Sequence, residues 1–487
     1  FRLDIEKRLA EYSLHGNYVL ALSSKQCAIE AGAEELDRDA VESELTFLCL
    51  ILFRNEIKPS SPSAFAKLRE GGIECIMVTG DNAMCGKYIA EKCQIFPSGS
   101  SCLLGDVYPG GNDVRWHMMG NLNEKCKKYI STTEVLDLAK SHSLAVTGKA
   151  FERLKAESGL SFLLSHIHIY ARMSPDNKKD LVQLLMNSGR IVGMVGDGGN
   201  DCGALRAAHM GLALSDSDAS IVAPFTSAEK SLLSVVNLLL EGRCALANSF
   251  ASYKFLIAYG QLFALVKMAG YAYATYMFAL AYIMIDGVFV IGISTLMTYA
   301  EPKTKLTIQL PTASLLSYET VASILKFHVV SVVSFSLGFL IWIFDNGYHR
   351  HPTQHTIAWQ VWAVVDSYEG GFFFIFFCMR LFAAALTFSL GQSFRAPIWK
   401  NMRLVLFISF FFVLISWLMM APVTIVTKWF HMPSENFNRP DTDRITWIMY
   451  HKQDPTAADK NGGITLMTRF LILGLFILSG FIDVKWA

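Results

Sequence analysis

Two regimes of hydrophobic patterning divide the 487-residue chain near Arg243. Before it, short apolar runs alternate with amphipathic stretches, the pattern of strands and helices in an α/β protein. Two of these runs, "GIECIMV" and "RIVGMV", end in polar turns carrying acids, "TGD" and "GDGGND". A helical pattern follows each, "AMCGKYIAEKC" and "CGALRAAHM". Strand, acidic turn and helix form the repeating unit of a doubly wound parallel sheet. After Arg243 long uncharged runs take over. A bilayer span needs about 20 mostly apolar residues. Six runs qualify, at about 254–275, 278–300, 327–344, 371–390, 404–427 and 466–482. So many long runs exceed what the core of a soluble protein sustains. The predicted fold class is α/β with a doubly wound parallel sheet, followed by an all-α membrane domain of six helices.

Composition sharpens this picture. A formal net charge of +1 argues against a nucleic-acid partner. Hydrophobic residues make up 52% of the chain, which is too apolar for a wholly soluble protein. Nine of the ten cysteines precede residue 250 and none forms a C-x-x-C pair, so the first half reads as cytosolic and not as a zinc protein. The loop "GQSFRAPIWKNMR" carries Arg395, Lys400 and Arg403 with no acid and reads as cytosolic, whereas the loop between Asp345 and Gly371 reads as the other side. With six spans, both ends of the membrane half are then cytosolic. The chain opens on Phe1 within a helical pattern, "FRLDIEKRLAEY", which reads as entry in mid-domain.

Charges within the spans are costly and usually line a pathway or pair with one another. Between Phe255 and Ala300 the formal charges are Lys267 and Asp286 alone. They either line a transport path or form a pair that locks the hairpin of the first two spans. Arg380 lies in the fourth span and receives no role.

The acidic turns carry the candidate chemistry. In a doubly wound sheet, ligands sit outside the carboxyl ends of the strands. Thr79, Asp81, Asp197 and Asp201 would therefore converge at one edge. Converging carboxylates need a hard cation such as Mg²⁺, which takes carboxylate, water and phosphate oxygens. Gly80, Gly196, Gly198 and Gly199 let backbone approach a phosphate. "YARMSPDNKKDLVQLL" supplies Lys178 and Lys179 at the start of a helix. The set suits phosphoryl chemistry, where positioning and electrostatics do most of the work. No Walker A sequence is present. A second G-G-N-D, at Gly110 to Asp113, has neither an apolar strand before it nor a helical pattern after it, and reads as an ordinary turn.

In that order, "MVTGDN", "ARMSPDNK", "GDGGNDCGAL" and paired spans, the sequence resembles the P-type ATPases, with a phosphorylation domain of the haloacid-dehalogenase-like fold. "NDCGALRAA", "LSDSDASIVAPFTS" and "EGRCAL" resemble type V, subgroup B, whose members export polyamines or other cations from late endosomes and lysosomes. The resemblance implies residues 1–52 as the tail of the nucleotide-binding domain, 53–245 as the phosphorylation domain and 246–487 as the transport domain. It implies Thr79, Gly80, Asp81, Lys178, Asn200 and Asp201 as catalytic, Asp197 and Asp201 as Mg²⁺ ligands, and Tyr18 and Asn55 as nucleotide-binding. Tyr259, Gln261, Lys267 and Asp286 would lie on the transport path. ATP, a cationic substrate and the bilayer are the implied partners. The departures are specific. The D-K-T-G-T motif that carries the phosphorylated aspartate is absent, Tyr18 replaces a nucleotide-contacting arginine, and Phe263 stands where the polyamine pathway has glutamine. A membrane-tethered phosphohydrolase and a non-catalytic truncated relative are the rival readings.

Overall fold

The computed structural model describes residues 5, 8–9, 11–13, 15–26, 39, 42–54, 56–96, 101–107, 113–119, 132–139, 141–156, 160–214, 221–348, 367–391, 393–422, 424–430, 432 and 463–486. Two compact units divide the chain, Phe1–Leu239 and Leu240–Ala487.

The first unit is α/β. Strands β1 (Asn17–Ser24) and β2 (Thr46–Arg54) form an antiparallel ribbon. A five-stranded sheet runs in the order β3-β7-β6-β4-β5. Its members are β3 (Met77–Val78), β4 (Cys102–Val107), β5 (Val114–Met118), β6 (Ser143–Thr147) and β7 (Ile167–Ala171). All pairs are parallel except β4 with β5. Parallel strands covered on both faces read as continuous apolar runs. Accordingly Leu144, Ala145 and Val146 of β6 are fully buried. Leu103, Val146, Phe151 and Tyr170 build the core on one face, and Ala90, Leu104, Ala145 and Ile169 that on the other.

A separate three-stranded parallel sheet has the order β10-β9-β8, with β8 (Gly193–Gly196), β9 (Met210–Ala213) and β10 (Phe225–Thr226). The parallel α/β architecture is as the patterning implies, but the two acidic turns belong to different sheets. Among the described residues, β3 pairs with β7 and β8 with β9, and neither pairs on its other side. With one edge unpaired, the apolar run "GIECIMV" has only Met77 and Val78 in a ladder. The second G-G-N-D lies between β4 and β5, so a strand does lead into it. The two flanking strands pair antiparallel as a hairpin, and Gly110, Gly111 and Asn112 of the motif lie outside the described residues.

Among the described residues six helices are long and apolar enough to cross a membrane. Numbered after six helices of the first unit that have more than four residues (α1 Ser60–Glu70, α2 Ala83–Lys92, α3 Thr132–Leu138, α4 Gly148–Ala156, α5 Pro175–Asn187 and α6 Cys202–Ala207), they are α7 (Leu233–Tyr273), α8 (Ala279–Met297), α9 (Tyr318–Ile343), α10 (Tyr368–Ser389), α11 (Met402–Met420) and α12 (Leu466–Trp486). The helix α7 begins at the end of the first unit. The fifth run was expected to reach 427. It ends at Met420 because Pro422 cannot continue the helix, and Ile425–Trp429 forms a separate short turn of helix. The helix α10 is central, with 94% of its apolar window buried. Phe372, Phe373, Phe374, Phe376 and Phe377 pack it into the surrounding helices. Much of the loop between Asp345 and Gly371, residues 349–366, lies outside the described residues.

Arg380 is fully buried in α10. Its Nη1 lies 2.6 Å from Asp483 Oδ2 of α12, its Nη2 donates to Ser331 Oγ of α9 at 2.8 Å, and its guanidinium sits 4.5 Å from the Phe327 ring centroid. Three spans are thereby joined through one cation.

Candidate phosphoryl and cation sites

Helix geometry fixes the lysine. Ser174 Oγ accepts from the Asn177 N–H at 3.2 Å, and Pro175 occupies the first helical position, so α5 starts at a defined residue. Lys178 and Lys179 then point about 100° apart. Lys178 Nζ reaches Asp201 Oδ1 at 2.8 Å, with both side chains largely buried. Lys179 is exposed, and its stem packs beside Gly203. Asn177 donates to Glu152 Oε1 at 2.8 Å and so holds α5 to α4.

Backbone bonds bring the first acidic turn to the same helix. The Thr79 N–H donates to Tyr170 O at 2.8 Å, Met173 N–H to Thr79 O at 3.0 Å, and Arg172 N–H to Asp81 O at 3.0 Å. Thr79 Oγ1 accepts from the Asp81 N–H at 3.0 Å. Arg172 reaches this position with φ at +52°, in the left-handed region that bulky residues rarely enter. The T-G-D turn is thus laced to the entry of α5, and α5 to the G-D-G-G-N-D turn through Lys178. The three segments meet through α5 and its approach, not through a shared sheet.

The second turn is tightly built. Asp201 donates its N–H to Gly198 O at 3.0 Å. A Cβ on Gly196 would lie 2.6 Å from Asp201 Oδ2, so glycine is required there. Asp197 and Asn200 are exposed at the turn, whereas Asp201 is buried. Among the described residues no three His, Cys, Asp or Glu side chains cluster as a metal cage. The carboxylates of Asp197 and Asp201 are the donor class that Mg²⁺ takes, with phosphate and water completing its shell.

Tyr18 lies exposed on β1. Asn55 lies outside the described residues.

In the second unit Tyr259 of α7 donates its hydroxyl to Asp286 Oδ1 of α8 at 2.8 Å. Residues Ile283–Val290, with Asp286 among them, wind as a π-helix. Such irregular turns are frequent at functional positions. The Asp286 side chain is exposed on the unit's surface. Gln261 Oε1 is buried and accepts no hydrogen bond among the described residues. Lys267 does not pair with Asp286. Its ammonium lies 5.4, 5.6 and 5.0 Å from the ring centroids of Phe263, Tyr276 and Tyr282. The locked Lys–Asp hairpin is therefore not formed. This cage escaped sequence reasoning, although the four-residue spacing of Tyr259, Phe263 and Lys267 was a readable sign of one helix face.

No family model matches the chain. It is similar to the mouse protein named polyamine-transporting ATPase 13A3, with 28% identity over 463 residues, covering 88% of this chain and 38% of that protein. The mouse probable cation-transporting ATPase 13A5 is 30% identical over 82% of this chain and 35% of its own length. The vacuolar cation-transporting ATPase YPK9 of Saccharomyces cerevisiae is 28% identical over 82% of this chain and 28% of its own. The chain thus spans well under half the length of these relatives.

Proposed function

We propose, for a multi-pass membrane chain related over most of its length to the type V, subgroup B P-type ATPases, that it carries part of the phosphorylation site and part of the cation path of an ATP-driven pump. The carrying observation is the Lys178–Asp201 pair, which sits between the T-G-D and G-D-G-G-N-D turns. In this reading Thr79, Gly80 and Asn200 contact the transferred phosphoryl group, and Lys178 places a positive charge against it. Asp201 holds the Lys178 ammonium at the turn, and Asp81 positions the water that later releases phosphate. Asp197, with Asp201, would hold Mg²⁺. When bound, that ion neutralises charge on the phosphate oxygens. The phosphorylated aspartate would belong to a D-K-T-G-T motif, which these 487 residues do not contain. ATP would bind beside Tyr18 and Asn55.

Tyr259, Gln261 and Asp286 would receive the cation in the membrane. A carboxylate within an apolar span attracts a cation and is costly without one. The names of the relatives support a cationic or polyamine cargo, and the vacuolar yeast protein supports a late endosomal or lysosomal membrane.

The test compares two aspartates of like sequence context in the full-length protein. Asp197→Asn should abolish Mg²⁺-dependent phosphoenzyme, while Asp113→Asn in the β4–β5 hairpin should leave it nearly unchanged. Normal phosphorylation of the Asp197 variant would overturn the reading. Asp286→Asn should remove cation-stimulated hydrolysis and spare phosphorylation. Hydrolysis that no cation stimulates in the unaltered protein would instead support a membrane-tethered phosphohydrolase.

A further inference from the structure

The ammonium of Lys267 is surrounded by three aromatic rings, each within the roughly 6 Å at which a cation is attracted to a ring face. They come from two helices and their connection: Phe263 from α7, Tyr276 from the turn and Tyr282 from α8. Among the described residues no carboxylate lies within ion-pair distance of Lys267. Among these residues its charge is met by the ring faces. An aromatic cage of this kind is a device for alkylammonium recognition, and here a side chain of the protein itself fills it.

The cage is continuous with the Asp286 position. Tyr259, Phe263 and Lys267 are four residues apart on one face of α7. The Tyr259 and Phe263 ring centroids are 6.0 Å apart, and those of Phe263 and Tyr282 are 6.2 Å apart. Eight residues of α-helix rise about 12 Å. The Asp286 carboxylate, bound by the Tyr259 hydroxyl, thus stands at one end of an aromatic row, and the Lys267 ammonium at the other. A flexible chain bearing several ammonium groups can span that distance, whereas a single metal ion cannot.

We infer that the Phe263–Tyr276–Tyr282 cage is a second alkylammonium subsite and that Lys267 is its tethered occupant. Lys267 is thereby a specificity-determining residue that disfavours long polyamines and leaves Asp286 to a shorter cation. This rests on the cation-path reading of Asp286. A tethered ammonium competes with a ligand ammonium for the same rings and repels it. Removing the charge should free the cage.

The experiment measures ATP-independent binding of spermine and of 1,4-diaminobutane to the full-length protein in lipid nanodiscs by calorimetry. Lys267→Met should tighten spermine binding by about tenfold, equivalent to about 1.4 kcal/mol, and change diamine binding by less than about threefold. Lys267→Arg, which keeps a cation over the rings, should bind spermine as weakly as the unaltered protein. Adding Tyr282→Leu to Lys267→Met should cancel the gain. Spermine binding no tighter in Lys267→Met, including no binding to either protein, would overturn the inference, as would a gain that Tyr282→Leu leaves intact. Cation-stimulated hydrolysis is read on the same samples. A working pump with no spermine gain refutes the cage and leaves the pump reading standing. A spermine gain without hydrolysis does the reverse.

Discussion

The Lys178–Asp201 contact sets a measurable coupling. At 2.8 Å, with an effective dielectric constant of about 20, the gross attraction is about 6 kcal/mol. The two side chains expose only 11% and 12% of their surface, so lost hydration offsets much of that. A net coupling of about 2–3 kcal/mol remains, the range of a hydrogen bond to a charged group. The two single variants should differ. Asp201 is pinned by its N–H bond to Gly198 O and by its approach to Gly196, so Lys178→Met strands a carboxylate that cannot move to water. That should cost about 3 kcal/mol. The long lysine stem can swing out to solvent, so Asp201→Asn should cost less. The double variant Lys178→Met/Asp201→Asn should recover about 2 kcal/mol of the summed loss. Pulse proteolysis in urea on the detergent-solubilised protein measures all four corners. Losses that add within about 0.5 kcal/mol would show the pair to be a screened surface contact and would refute the geometric argument.

Three further outcomes follow from the same structure. Gly196→Ala should displace Asp201 and destabilise the first unit by about 1–3 kcal/mol, whereas Gly199→Ala, with nothing within 4 Å of the added carbon, should change proteolytic stability little. In the membrane unit, Asp483→Asn should leave the Arg380 guanidinium buried without its counter-charge and lower the yield of folded protein by an amount equivalent to about 3 kcal/mol or more. Arg380→Met/Asp483→Leu should restore most of it, as read by size-exclusion recovery. The third outcome concerns pH. Burial pushes the His168 imidazole below its ordinary value, with Glu74 partly opposing, and Nδ1 finds no hydrogen-bond partner among the described residues. The unfolded chain therefore takes up a proton near pH 6.5 that the folded chain resists. The stability at neutral pH is lost as pH falls through 6.5 and levels off below the folded value. His168→Leu should flatten proteolytic stability between pH 7 and pH 5, and an unchanged slope would count against the burial argument.

Local pattern carried the soluble site a long way. Strand, acidic turn and helix are short-range features, and the proline at the start of α5 fixes which of two adjacent lysines faces inward. The sheet partition was not legible. Apolar runs announce that a strand is buried, but they do not name its neighbour, and both β3 and β8 end a sheet among the described residues. The strand β4 was missed for a related reason. Glycine in "CLLGDV" weakens its apolar signal, although Gly105 is closely packed, with an added Cβ 3.1 Å from the Trp116 ring.

In the membrane unit the six runs were legible because length and hydropathy alone define them. The pairing of their charges was not. Two charges in one hairpin suggest an ion pair, but Lys267 and Asp286 lie at different heights along it. Tyr259 is eight residues before Lys267 on the same face of α7, and its hydroxyl takes Asp286. Lys267, further along that face, meets rings instead. Arg380 shows the opposite case. Its partner Asp483 is about a hundred residues away in sequence, on a helix that only the packing of α10 against α12 brings near. A buried arginine in a span must find an anion or be expelled, so the existence of a partner could be inferred from sequence while its identity could not. The two cations differ in consequence. Arg380 is fully enclosed and satisfied by two serines and a carboxylate, which suits a fixed joint between spans. Lys267 is only half-buried and is held by ring faces without a counter-charge, which suits a cation that another cation can replace.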